Sequence, residues 1–207
     1  MCDEVITVFG SDFIVSDSPF GGKQLKKYVG NARVVTIPEG ICSVESQVFA
    51  GMDFIDTVIL PSTLKTVGWG AFQDSSLVHI VLPASVYLVG TKAFAGCKKL
   101  KTVEIHNPRI TFSRTPFLCS SDEFEIIFHG SMEEFKSCAI VSYDRDTYQS
   151  GDYYHPTSTQ FEYGVYESRT HLFSSDENTP FTCTVRCADG ELVYHEMPFE
   201  SRRVKVQ

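Results

Sequence analysis

No stretch of the 207 residues approaches the roughly 20 consecutive apolar positions that a bilayer-spanning helix requires. The opening residues are not those of a secretory leader. Asp3 and Glu4 stand where positive charge belongs, and no apolar segment follows them. As written, the chain is expected in the cytoplasm, or outside the cell if a leader has been removed. Basic residues are in deficit, with 18 Lys and Arg against 26 Asp and Glu for a net charge of -8. Such a surface repels phosphate, so nucleic acid is not the expected partner. Lys23 to Lys27, Lys98 to Lys101 and Arg202 to Lys205 hold the densest positive charge, and each is short enough to be solvated surface. Catalytic signatures are missing as well. There is no Gly-x-Ser-x-Gly elbow and no Gly-x-x-x-x-Gly-Lys loop, and six scattered histidines anchor no triad.

Seven cysteines are present, at 2, 42, 97, 119, 138, 183 and 187. They are spread along the chain and odd in number, which reads as reduced thiols used as small core residues rather than a disulfide framework. Cys183 and Cys187 form the one close pair. On a strand they would share a face roughly 13 Å apart, too far to hold one zinc ion. Asp144-Arg145-Asp146 lacks the glycine and distal glutamate of a calcium loop. No metal or cofactor is expected.

A period of 22–23 residues is what the chain has instead. Ala32-x-x-Val35-x-Ile37-Pro38 is followed by Ile55-x-x-Val58-x-Leu60-Pro61, then Leu77-x-x-Ile80-x-Leu82-Pro83 and Leu100-x-x-Val103-x-Ile105-His106. Matching second halves lie between them: Ile41-x-x-Val44, Leu64-x-x-Val67 and Val86-x-x-Val89. Phenylalanine recurs at 49, 72, 94 and 117. Alternating apolar positions mark a short strand with one buried face. The following proline withholds an N–H and ends the ladder. The Phe plugs the interior of its turn. One such turn cannot bury its own edges, so successive turns must stack into a solenoid. Val35, Ile37, Val58, Leu60, Ile80, Leu82, Val103 and Ile105 are the expected inward residues.

These residues resemble a known family. Leu77 to Leu82, with Val86-Tyr87-Leu88-Val89-Gly90-Thr91-Lys92-Ala93-Phe94-Ala95-Gly96-Cys97, is similar almost position by position to the BspA-type leucine-rich repeats common in bacterial surface proteins. Phe13 to Ile41 resembles that family's N-terminal cap. Ile126 to Phe135 resembles its terminal strand–helix unit, and Thr184 to Leu192 its closing strand. The resemblance implies a mainly β leucine-rich-repeat solenoid. It would have short parallel β rungs, irregular or short helical returns, one short helix near 131–138 and a C-terminal β cap. The expected organisation is an N-terminal cap over 1–33, repeats over 34–128 and a C-terminal cap over 129–207. The fourth turn is degenerate, with His106-Asn107 in place of the proline. Residues 139–180 form a long insertion that carries six of the nine tyrosines, among them Tyr148, Tyr153, Tyr154 and Tyr163. Ser131-Met132-Glu133-Glu134 has the spacing of a capping box.

What remains for function is surface. The residue between the two inward positions of each rung points outward, giving the column Thr36, Ile59, Val81, Glu104 and Ile127. The neighbouring column is Val34, Thr57, His79, Thr102 and Glu125. Ile59 and Val81 side by side make an apolar spot that a partner would cover. The tyrosines of the insertion bring contact area of the kind that interfaces favour. The expectation is a monomeric module that binds a protein or glycan at a cell surface and does not catalyse. A structural spacer, or an enzyme using Asp152, His155 and His171, are the alternatives.

Overall fold

The computed structural model describes residues 3–8, 10–18, 21–113, 115–118, 120–121, 123–138, 140–141 and 181–196. In chain order the strands begin with β1 (Glu4–Val8), β2 (Ser11–Asp17), β3 (Lys23–Val29), β4 (Val34–Thr36) and β5 (Ile41–Val44). The repeats continue with β6 (Thr57–Ile59), β7 (Thr66–Val67), β8 (His79–Leu82), β9 (Leu88–Val89), β10 (Thr102–Ile105) and β11 (Thr111–Ser113). Then come β12 (Glu123–Phe128), a single-turn helix α1 (Met132–Ser137), β13 (Ile140–Val141), β14 (Phe181–Cys187) and β15 (Gly190–Glu196).

The repeat strands alternate between two sheets. One runs β4-β6-β8-β10-β12-β14-β15, the other β1-β2-β3-β5-β7-β9-β11-β13. Within the repeats every pairing is parallel, and the register follows the sequence period. Val35 lies beside Val58, Val58 beside Ile80, Ile80 beside Val103, Val103 beside Ile126 and Ile126 beside Val185. Antiparallel pairing occurs at the ends, where β1, β2 and β3 form a meander and β14 and β15 a hairpin.

The returns are more regular than irregular or short helical segments. Val44, Val67 and Val89 pair in register across β5, β7 and β9, and Phe112 continues the row on β11. Stacked turns bring backbone N–H and C=O groups of successive returns face to face, and buried groups of that kind must pair. Of the eight expected inward residues seven are buried, and Leu60 lies half-buried at the margin of the core.

Each phenylalanine enters the interior at a repeated backbone corner. The residue two positions before it adopts the left-handed conformation: Gln47 (φ 60°), Gly70 (φ 55°), Lys92 (φ 56°) and Thr115 (φ 53°). The rings of Phe49, Phe72, Phe94 and Phe117 are wholly buried or nearly so and stack in one line. Tyr28 of the meander adds a tilted ring 5.4 Å from Phe49. After the last rung the capping box forms as its spacing requires. Glu134 N–H donates to Ser131 Oγ, and Ser131 N–H donates to Glu134 Oε2. Among the described residues, no helix is long and apolar enough to cross a membrane.

Candidate functional site

The seven-stranded sheet carries two outward columns, and parallel register brings their members together. Thr36 lies beside Ile59, Val81 beside Glu104, and Glu104 beside Ile127, with Arg186 next on β14. The second column runs Val34, Thr57, His79, Thr102, Glu125 and Thr184. Ile59 and Val81 are 50% and 46% exposed. Of the seven large hydrophobic residues exposed among the described ones, Val34, Ile59, Val81 and Val193 all belong to this sheet. Strand propensity accounts for branched residues on a pleated surface. Val5 and Val29 lie on strands of the other sheet. The face is apolar towards its N-terminal rungs and charged towards its C-terminal ones, where Arg186 pairs with Glu125 and with Glu191.

A second feature was not visible in the rung-by-rung reading. His106 follows β10 at the place where three earlier rungs have Pro38, Pro61 and Pro83. His129 occupies the same place one rung later. His129 N–H donates to the Ile105 carbonyl at 2.9 Å, and His106 N–H to the Leu82 carbonyl at 3.0 Å, so both backbones are held in the stack. The two imidazoles lie one over the other, with centroids 4.2 Å apart and planes 25° from parallel. Both Nε2 atoms converge on one carboxylate oxygen, Glu104 Oε1, at 2.7 Å from His106 and 2.8 Å from His129. Partial burial works against ionisation of Glu104, but the hydrogen bonds from both imidazoles outweigh it and hold the carboxyl below its usual range. The signal that would have found the pair is the period itself, since 106 and 129 are separated by one 23-residue repeat.

His79 belongs to the same face, on the rung next to that of Glu104 and His106, in the other column. Tyr148, Tyr153, Tyr154 and Tyr163 lie outside the described residues, as do Asp152, His155 and His171.

The other sheet borders a shallow groove of about 660 Å³ lined by Gly21, Gly22, Gly40, Cys42, Lys65 and Tyr87 among others. Among the described residues no acid and base converge there. The buried thiols are structural. Cys97 Sγ donates to the Phe72 carbonyl at 3.0 Å, and burial pushes its pKa up to about 11. Burial likewise raises that of Cys183. Among the described residues Cys42, Cys97, Cys183 and Cys187 are free thiols.

Comparison with known proteins gives this architecture a context. The BspA type leucine rich repeat region matches residues 24–143, in six copies. Among solved structures the chain is similar to the Pneumococcal vaccine antigen PcpA, with 23% identity over 67% of this chain and 35% of that one and a TM-score of 0.46. It is similar to a leucine-rich repeat protein from Bacteroides ovatus, with 17% identity over 56% of this chain and 34% of that one and a TM-score of 0.46. A leucine rich cell surface protein from Faecalibacterium prausnitzii shows 17% identity over 67% and 54%, with a TM-score of 0.42. The chain thus spans about a third of the length of the first two. No curated protein matches it.

Proposed function

We propose that this chain, which belongs to the BspA-type leucine-rich-repeat family, is a non-catalytic binding module that docks a protein through the outward face of its seven-stranded sheet. The observation that carries this reading is the exposure of Val34, Ile59 and Val81 on three successive strands of one sheet. Apolar side chains collected on a rigid sheet, rimmed by His79, Glu104 and Glu125, have the layout of an interface with an apolar centre and a polar edge. A protein partner fits better than a glycan, because branched aliphatic side chains have little to offer sugar hydroxyls. The converging titratable groups sit on an open face and not in an enclosed pocket, which supports binding over catalysis. The same family membership supports a cell-surface location for the chain.

The test uses two aspartate substitutions, Ile59→Asp and Val81→Asp, at exposed positions where the fold does not depend on the side chain. The immobilised full chain is exposed to surface and cytosolic extracts of the native organism. A defined protein retained by the parent chain and lost by the double variant, at unchanged melting temperature, supports the reading. Retention that survives both substitutions overturns it. Retention abolished by glycosidase treatment of the extract, with the protein still present, would instead make the ligand a glycan.

A further inference from the structure

We infer that Glu104, His106 and His129 form a binding site for one divalent transition-metal ion of the zinc class, on the same face as the proposed interface but independent of it.

The donor set comes first. Two imidazole nitrogens and one carboxylate oxygen suit zinc and its first-row neighbours, and they suit calcium and magnesium poorly. The three donor atoms all lie within 4.8 Å of one another. In tetrahedral zinc sites, bonds of roughly 2.0–2.1 Å set ligand atoms about 3.3 Å apart. Glu104 Oε1 is 2.7 and 2.8 Å from the two nitrogens. To admit an ion of that size the two stacked rings turn so that both Nε2 lone pairs face it, and the carboxylate withdraws by about half an ångström. Rotation about the outer bonds of the Glu104 side chain supplies that motion without moving the backbone. Each imidazole first gives up the Nε2 proton that it donates to Glu104, by shifting it to Nδ1 or releasing it to solvent, and then binds through the bared Nε2.

Preorganisation is the second argument. Glu104 and His106 are two residues apart and so share a face, and His129 is fixed beside His106 by the parallel register of β10 and β12. The ladder bonds of His106 and His129 to neighbouring rungs hold both Cα atoms in place. Ligands on sheet strands of a packed core lose little entropy on binding, and positional precision of this kind is what metal sites require.

The surroundings point the same way. Glu104 is flanked on its column by Val81 and Ile127. No Lys or Arg ion pair involves it among the described residues, since Arg186 is taken up by Glu125 and Glu191. Among the described residues the Glu104 carboxylate is thus met only by the two imidazoles, which leaves it available to a cation. The three side chains are one-third to one-half exposed, so a fourth coordination position faces solvent. Water, or a side chain brought by a docking partner, would complete the shell.

The experiment is calorimetric titration of the full chain, free of added histidine tags, with zinc chloride and, as a control, calcium chloride. One zinc ion per chain and no calcium response are expected. Removing an orienting partner of a metal ligand commonly weakens binding by about 10–100-fold, so His106→Ala or His129→Ala, each deleting a ligand outright, should cost at least about tenfold. His79→Ala, on the same face but outside the group, should leave the affinity unchanged. In the parent protein, the ring resonances of His106 and His129 should move on zinc addition while those of His79 stay. That readout holds even if a variant fails to fold. Unchanged affinity in the His106→Ala, His129→Ala double variant, no saturable binding by the parent chain, or unmoved His106 and His129 resonances would overturn the site. None of these outcomes bears on whether Ile59 and Val81 meet a partner, so the two readings fail separately.

Discussion

Phe72 and Phe94 lie face to face at the centre of the solenoid, their ring centroids 5.4 Å apart and their planes within 6°. Both rings are wholly buried, and Phe49 and Phe117 extend the line on either side at 5.2 and 5.5 Å. These distances sit a little above the strand spacing of about 4.8 Å, as offset stacking requires. Each ring fills its own turn and supports the next. Phe72→Ala or Phe94→Ala should therefore destabilise the fold by about 3–5 kcal/mol, measured by chemical denaturation. Loss below about 1 kcal/mol would mean that the ladder is not the core.

Close approach of successive turns makes a second prediction. A Cβ on Gly90 would lie 2.7 Å from the Gly68 carbonyl carbon, and one on Gly68 would lie 2.7 Å from that of Glu45. Backbone cannot yield there without parting two turns. Gly90→Ala should cost about 1–3 kcal/mol, the range for an overpacked interior. The opposite holds at Lys92, which adopts φ 56° at the corner where the preceding turn has Gly70. Relief of left-handed strain exceeds the added chain entropy of glycine, so Lys92→Gly should be neutral or stabilising by up to about 1 kcal/mol. A loss of stability in Lys92→Gly larger than that would show that the corner is not strained.

The rungs were legible because their signal is local and repeated. Val58, Ile80 and Val103 announce their inward direction by alternation, and the recurrence of Phe at 49, 72, 94 and 117 sets the register. The second ladder was harder to read. β7 and β9 are two residues long, below any useful alternation, and exist because neighbouring turns hold their backbones in place. For the candidate site, alternation places Ile59, Val81 and Glu104 on the outward side. It says nothing of His106 and His129 meeting at Glu104, because that contact joins residues a full repeat apart. The tyrosines of 139–180 obey no period at all, which is why their placement does not follow from the repeat.

Glu39 predicts a pH effect. Its Oε1 accepts from Ser62 N–H at 2.9 Å and its Oε2 from the Ser62 hydroxyl at 3.1 Å, tying one turn to the next. The Ser62 backbone hydrogen bond holds its pKa below the ordinary carboxyl value, desolvation opposing. A carboxyl lowered in the folded state adds stability above its unfolded pKa, near 4.3, and loses it as pH falls through the lowered folded value. The melting difference between the parent and Glu39→Gln should be larger at neutral pH than at about pH 3. A difference independent of pH would show that the carboxylate charge is immaterial to this turn.

Thiol chemistry reports on the core directly. Cys97 and Cys183 are buried, with pKa values raised by burial. The thiolate is the reactive species, so neither should alkylate with iodoacetamide at about pH 8 in the native state, and both should in denaturant. Mass mapping of native protein that finds Cys97 modified would contradict its place behind Phe72.

The last prediction concerns the end of the stack. β14 adds to β12 as a parallel strand, pairing Phe124 with Cys183 and Ile126 with Val185, and β15 folds back along it. Cys183 and Val185 are fully buried, Ala188 N–H donates to the Gly130 carbonyl at 2.8 Å, and Asp189 accepts from Met132 N–H at 2.7 Å. The hairpin thus covers β12 and braces α1, whose Phe135 ring packs within 6.3 Å of Tyr194. Without it, β12 would present an unpaired edge beside the apolar rings of Phe124 and Phe128, the arrangement that templates strand addition between chains. Truncation after residue 180 should leave a chain that aggregates on expression, whereas truncation after residue 196 should not. A soluble 1–180 fragment with the parent melting temperature would show that the hairpin is an appendage and that the stack closes by other means.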